Sequence, residues 1–450
     1  MSEENINKLS KETGFTQREG GKISGFEILN LVINKTFGTE KLSLNSQCEQ
    51  FEEQTGKNIS KQSLNERFNE RLILLITCVL EEVLFAQKDE ELIVLLKSTG
   101  IKSLLIKDAT SFQLPESLKE SFKGSGGSAS LSSIKIQFEC DFLNGKVRVL
   151  SLHSGTYSDV RDAKETVDKL EEGDCILRDL GYFLILTLKK VDTIGAYYLS
   201  KLHHNIDIYE DKIERRKLIT KNQEPIKEKI DLGRIETYMK QNKLATIEKD
   251  VYIGNKDKYK TRLIIELLPD AVKEKKIREL KKAAKSRKRE VDKITLKRAG
   301  FNLYVTNLSS GQLGMDNAHN LYRLRWQIEL MFKIWKSEGK IHHVQKMKKD
   351  RFVSCLYGKL VYFFINWKIL WNLSYKLFYL ENKLISFSKA FKGFRNTTRA
   401  DYKILEYSVA GIQAFIDILE SKAPNYYLLE KKKKKISSLE ILLLFTTEIK

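Results

Sequence analysis

At 450 residues the chain is long enough for two to four domains of ordinary size. Its 42% hydrophobic and 10% aromatic content excludes a disordered chain. With 79 Lys+Arg against 59 Asp+Glu, a net +20, the expected partner is a polyanion, either nucleic acid or an anionic membrane surface; a highly charged protein with no such partner stays open on charge alone.

The opening segment MSEENINKLSKETG has no apolar core and does not read as a secretory signal. Residues 1–95 read as a helical domain, because Phe26 to Ile33, Cys48 to Thr55 and Leu64 to Gln87 carry apolar residues at three- and four-residue spacing. Within it NISKQSLNER (58–67) offers a turn, a serine cap and a polar-faced helix. That is the pattern of a helix-turn-helix DNA reader, or of an ordinary helical bundle. The five cysteines (Cys48, Cys78, Cys140, Cys175, Cys355) are scattered and form no CxxC pair, which predicts reduced thiols in a cytosolic protein and no zinc site. The neighbours His203–His204 and His342–His343 point in different directions on a strand or helix, so they read as surface or phosphate-contacting residues.

From Ser103 the pattern turns to strands at Leu104–Ile106, Ile134–Phe138 and Val147–Leu152, with a flexible loop, GSGGSA (124–129), between the first two. A helix over 159–170, a strand Cys175–Leu177 and a strand over Ala196–Leu202 complete an α/β unit, residues 96–204. Residues 205–310 read as a β-rich insertion, with strands at Ile206–Tyr209, Leu244–Ile247, Val251–Ile253, Arg262–Leu268 and Leu303–Thr306. It carries a basic helix: Lys273 to Arg298 holds thirteen Lys/Arg against four Asp/Glu, an excess that favours a phosphate-contacting surface over a merely solvated face. Helices return over 311–380. The most membrane-like stretch, Val361 to Leu380, is interrupted by Asn366, Lys368, Asn372 and Lys376, and reads as a buried helix. Residues 381–450 form a helical C-terminal region in which the Lys431–Lys435 run precedes apolar Leu439 to Phe445, a dimerisation or internal packing helix.

Three segments carry chemistry. Asp108 closes the apolar run SLLIK, and Asp179 closes CILR. Alone, each reads as a turn cap. At the ends of adjacent strands about 4.8 Å apart, the pair could flank two metal ions about 3.5–4 Å apart. In YRLRWQIELMFKIWK (322–336), at 100° per residue, Tyr322, Arg325, Glu329 and Lys336 fall within one narrow arc. Leu324, Ile328, Met331 and Trp335 form the core face. A structural Arg–Glu network is the alternative for this stripe.

The spacing Tyr322-x2-Arg325-x3-Glu329-x6-Lys336 resembles the signature of DDE transposases of the insertion-sequence-four group. The contexts of Asp108 (DATSFQLP) and Asp179 (DLGYF), the long insertion and Thr306-Asn307-Leu308 are similar to that group as well, and the likeness spans roughly residues 15 to 380. It implies an α/β fold with a ribonuclease-H-like catalytic domain interrupted by the β-rich insertion, flanked by helical N- and C-terminal regions. Asp108, Asp179 and Glu329 would be catalytic and bind two Mg2+ ions, with Mn2+ able to substitute. Tyr322, Arg325, Trp326 and Lys336 would contact DNA: Arg325 and Lys336 on phosphates, Tyr322 beside the backbone, Trp326 by stacking. The partners implied are inverted-repeat ends and target DNA, and a homodimer in a synaptic complex. No membrane is implied, and the place is the bacterial cytoplasm at the nucleoid. Many members flip a base onto a tryptophan of the insertion. Here the tryptophans are Trp326, Trp335, Trp367 and Trp371, leaving Tyr252, Tyr259, Phe301 or Tyr304 as substitutes. A nuclease or resolvase on the same fold and an inactive DNA-binding derivative are the competing readings.

Overall fold

The computed structural model describes residues 1–17, 21–36, 43–85, 100–127, 130–143, 145–211, 227–255, 258–397 and 409–430. The Lys431–Lys435 run and the apolar Leu439–Phe445 segment lie outside the described residues.

Among the described residues five helices come first: α1 (Glu3–Glu12), α2 (Gly25–Thr36), α3 (Leu44–Thr55), α4 (Lys61–Arg67) and α5 (Glu70–Phe85). The Ser43 and Ser60 hydroxyls accept from the backbone N–H three residues on, satisfying donors that a helix start leaves free. Gly56, at φ +67°, ends α3 in the left-handed conformation. Segment 58–67 thus forms a turn and a short capped helix. The helix read over Leu64 to Gln87 is broken between Arg67 and Glu70, where Phe68 leaves helical geometry.

An antiparallel meander follows, β1 (Ser103–Gln113), β2 (Ser133–Asp141) and β3 (Lys146–Ser154). Helix α6 (Asp159–Thr166) leads to β4 (Asp174–Arg178), parallel to β1, and α7 (Ile185–Ile194) leads to β5 (Tyr197–Lys201), parallel to β4. The insertion contributes β6 (Ile208–Asp211), β7 (Lys227–Lys229), α8 (Leu232–Gln241), β8 (Thr246–Ile253), β9 (Tyr259–Leu267), α9 (Asp270–Ser286), α10 (Lys293–Arg298) and β10 (Phe301–Thr306). Then come α11 (Ala318–Arg323), α12 (Trp326–Ser337), α13 (Lys349–Glu381), α14 (Phe387–Thr397) and α15 (Val409–Tyr426). The result is a mixed α/β protein with a large central sheet and helical regions at both ends of the chain.

The ten strands make one sheet in the order β3-β2-β1-β4-β5-β10-β9-β8-β6-β7. Strand β10 pairs antiparallel with both β5 and β9, so the insertion extends the sheet instead of standing apart from it. Helices α7 and α8 went unread in the sequence, and the strands expected at Leu244–Ile247 and Val251–Ile253 are one strand, β8. Charged residues at 248–250 separate two apolar clusters there, yet β8 pairs with β9 along its whole length.

One apolar core lies between one face of the sheet and α2, α5, α12 and α13; a second lies on the other face under α7 and α8. Gly358 lets α13 cross α2 closely: a Cβ there would stand 2.6 Å from the Val32 carbonyl oxygen. The helix read as buried over Val361 to Leu380 is the later part of α13; it is buried through Phe364 and at Leu370, Leu373 and Leu377, but its last turn exposes Tyr379 and Leu380. Among the described residues no helix is long and apolar enough to cross a membrane, and all five cysteines are unpaired.

Candidate active site

Asp108 does not close its strand. It sits in the middle of the eleven-residue β1, opposite Phe138 of β2. The apolar run breaks at Lys107, but the backbone ladder continues through Gln113 because β2 pairs along the full length. On its other side β1 pairs with β4, Lys107 opposite Arg178, so Asp179, one residue past β4, stands level with Asp108. Asp179 keeps extended geometry and opens the 3₁₀ turn Leu180–Tyr182.

Glu329 comes from the first turn of α12. Segment 322–336 is not one helix: α11 ends at Arg323 and α12 starts at Trp326, with i→i+3 hydrogen bonds through Leu324 and Arg325. This tight turn does not scatter the stripe. Buried Trp335 packs on Phe138, Phe332 and Phe364, which fixes α12 with Glu329 over the sheet.

The three carboxylates meet around one guanidinium. Arg325 Nη1 lies 3.0 Å from Asp108 Oδ2, and Nη2 lies 2.6 Å from Glu329 Oε1 and 3.9 Å from Asp179 Oδ1. Burial pushes the Asp108 carboxyl up to about 6, opposed by the Ala109 N–H and Arg325 and assisted by Asp179 and Glu329. For Arg325 itself burial acts downward, but Tyr322 and the three carboxylates outweigh it and hold the guanidinium above its ordinary value.

Among the described residues no three His, Cys, Asp or Glu side chains lie within reach of one ion, and in this cluster Arg325 stands between the acids. The donor set is nonetheless all oxygen and all anionic, which suits a hard divalent cation. Three negative charges against one positive leave the cluster short of cation.

Tyr322 is buried, and its hydroxyl donates to the carbonyl of Arg178, 3.2 Å away, steadying the residue before Asp179. It lies under the site. Trp326 is 56% exposed at the start of α12. Lys336 donates to the Ser111 carbonyl (3.1 Å) and lines a groove of about 630 Å³ that runs from Asp108 and Glu329 past Lys333 and Lys340 to His342. Lys333 and Lys340 were missed in the sequence, although they continue the helical spacing from Glu329 at i+4 and i+11.

On the opposite face of the sheet, Lys107 is wholly buried. Its Nζ lies 2.5 Å from Asp162 Oδ2 and 3.6 Å from Glu139 Oε2, and it donates to Thr166 Oγ1 at 2.9 Å. Arg178 Nη2 reaches the same Glu139 oxygen at 3.1 Å. Burial acts to raise the Glu139 carboxyl, but these two cations bring it below its usual value. The residues just before Asp108 and Asp179 are thereby clamped to a common anion, which fixes the stagger of the two strands.

Of the aromatic substitutes in the insertion, Phe301 and Tyr304 are buried, while Tyr252 and Tyr259 are half-buried and hydrogen-bonded to Asp211 and Tyr198. Among the described insertion residues the exposed large aromatic is Tyr238 on α8. Asn307 clasps the end of β10 to β5, accepting from the Tyr198 N–H at 2.9 Å and donating to the Ala196 carbonyl at 2.9 Å.

Residues 99–363 match the transposase DDE domain. The transposase for insertion sequence element IS1151 of Clostridium perfringens is 33% identical over 393 residues, 86% of this chain and 82% of its own length. That for IS231B of Bacillus thuringiensis subsp. berliner is 31% identical over 447 residues, 95% of this chain and 90% of its own. That for IS231F of Bacillus thuringiensis subsp. israelensis is 32% identical over 403 residues, 87% and 82%. The chain belongs to the DDE transposases of insertion sequences.

Proposed function

We propose that the enzyme moves an insertion sequence by cut-and-paste transposition, binding element ends, cleaving DNA and joining the freed 3′-hydroxyls to target DNA. The observation that carries this reading is the convergence of Asp108, Asp179 and Glu329, from three distant parts of the chain, around Arg325. The strand order β3-β2-β1-β4-β5, an antiparallel meander followed by two strands parallel to the first, supports a ribonuclease-H-like catalytic fold.

In this reading the three acids hold two divalent ions, magnesium in the cell, with manganese able to substitute. When bound, such ions activate the attacking water or 3′-hydroxyl and stabilise the leaving oxygen. Arg325, released from the acids, donates two parallel N–H bonds to two oxygens of one phosphate. Lys333 and Lys336 hold the strand in the groove along α12, and Trp326 stacks on a base beside the cut. Tyr322 acts from beneath, keeping Asp179 level with Asp108. The partners are element ends and target DNA, with two copies of the chain pairing the ends at the nucleoid. The helical domain 1–95, the catalytic segments 96–204 and 311–380, the insertion 205–310 and the region 381–450 divide the work.

Glu329→Gln keeps the shape and removes the charge. Cleavage and joining should fall by about 10²–10³-fold or more, Mn2+ binding to the DNA-free protein should be lost in calorimetry, and the unfolding midpoint should stay in place. Cleavage at the wild-type rate would remove Glu329 from the chemistry. Precut ends separate the competing activity: hydrolysis with no joined product means a nuclease.

A further inference from the structure

Asp179 stands just past the carboxyl end of β4, where open α/β sheets place their ligands, and Asp108 lies level with it in the middle of β1. The same edge continues sideways. On β5, next to β4, Lys201 is half-buried, with its ammonium 5.4 Å above the Tyr322 ring. Among the described residues the ammonium has neither a hydrogen bond nor an ion pair, although Asp179 and Glu266 lie within electrostatic reach. On β10, one strand further, Asn302 accepts from Lys276 of α9 at 3.1 Å and donates to Glu266 of β9 at 2.7 Å. Glu266 in turn holds His319 of α11, which places this chain of contacts on the face that carries the triad. Two strand spacings of about 4.8 Å put Asn302, and with it the Lys276 contact, roughly 10 Å sideways from Asp179, while the foot of α9 is held to α8 by Lys240–Asp270 (3.2 Å) and Lys273–Glu236 (2.7 Å).

Helix α9 itself is lopsided. Ile277, Leu280 and Ala284 are half-buried on the side that carries Lys276. Eight exposed cations between Lys275 and Arg289 have no ion-pair partner among the described residues, and Glu274 and Glu279 neutralise none of them. Lys275, Arg278, Lys282 and Lys285 follow i, i+3, i+7, i+10 spacing and form one stripe, facing away from the anchors. At 1.5 Å per residue the helix is about 26 Å long, the rise of roughly seven base pairs. A bilayer surface fits poorly, because the apolar side of α9 is turned inward. A second copy seated on this stripe would set a chain of net charge +20 against its unpaired cations.

We propose that the outer stripe of α9 seats the duplex DNA flanking the scissile phosphate, with Lys201 and Lys276 bridging it to the triad. This rests on the proposed DNA chemistry of the triad but is tested apart from it, by binding without cleavage.

The probe is a fluorescent 30-base-pair duplex of arbitrary sequence, in chelator, with affinity measured against NaCl concentration. Two variants of the full chain remove the same charge: Lys275→Gln/Lys282→Gln/Lys285→Gln on α9, and Lys164→Gln/Lys169→Gln/Lys190→Gln on the opposite face. Both should keep the wild-type circular dichroism and unfolding midpoint. Each phosphate contact contributes about 0.9 to the logarithmic salt slope, so the α9 variant should lose about two to three units and the control should lose little. Equal slopes for the two variants overturn the proposal, as does a loss confined to duplex RNA. Neither outcome bears on whether Glu329 is catalytic.

Discussion

One guanidinium faces three carboxylates at the heart of the site, and burial, assisted by the other two acids, raises the carboxyl of Asp108, the most enclosed of the three. A carboxyl whose folded pKa lies above its unfolded value near 3.8 supports folding fully while protonated in both states. That support fades as pH rises through about 6. In chelator, Asp108→Asn should therefore gain on the wild type between pH 4.5 and 7.5, by about 1–3 kcal/mol. Denaturation midpoints of the two proteins across that range measure it; a constant gap would mean that Asp108 titrates like an ordinary surface acid. Sequence spacing reveals that Arg325 and Glu329 share a helical arc, because that relation is local. It does not reveal that Arg325 touches Asp108, 217 residues earlier, which depends on how α12 docks on the sheet. The Lys107–Glu139–Asp162 network is hidden for the same reason: strand pairing and the placement of α6 bring these residues together, and none lies near another along the chain.

At the level of elements, α12 is held in rotation by its apolar side. Trp335 is wholly buried against Phe138, Phe332 and Phe364, and its place on the core face was legible from the four-residue period. Trp335→Ala should cost about 3–5 kcal/mol and also weaken Mn2+ binding, since a loosened α12 no longer presents Glu329. Glu329→Gln separates the two effects, losing the ion without the stability. If Trp335→Ala kept full Mn2+ affinity, the aromatic cluster would have no part in aiming the acid. Strand assignments succeeded where apolar runs were short and bounded, as in β4. They fell short for β1, whose second half (Asp108 to Gln113) mixes polar residues into the ladder. Helices α7 and α8 are not legible in the sequence because each is only ten residues long and lies among strand-like segments.

Over the whole molecule, the onset of strands at Ser103 is legible in the sequence, the boundary drawn at residue 95 lies outside the described residues, and the packing between the helices before it and the rest of the chain is not legible. Helices α2 and α5 share a core with α13, and the crossing with α2 depends on Gly358. Gly358→Ala would drive a methyl group into the Val32 backbone, which cannot yield like a flexible side chain. A loss of about 1–3 kcal/mol is expected, in a single calorimetric transition. Two separate transitions would mean that the N-terminal helices fold on their own.

The strand returning from the insertion is wedged between β5 and β9, so an unbroken lattice of main-chain hydrogen bonds runs from the meander to the outermost strand. A stiff polymer lying across that lattice would load it in shear, and β4 feels the load through only two neighbours. If α9 grips the duplex as proposed, grip and triad share this one sheet, and the double helix would be the softer of the two partners.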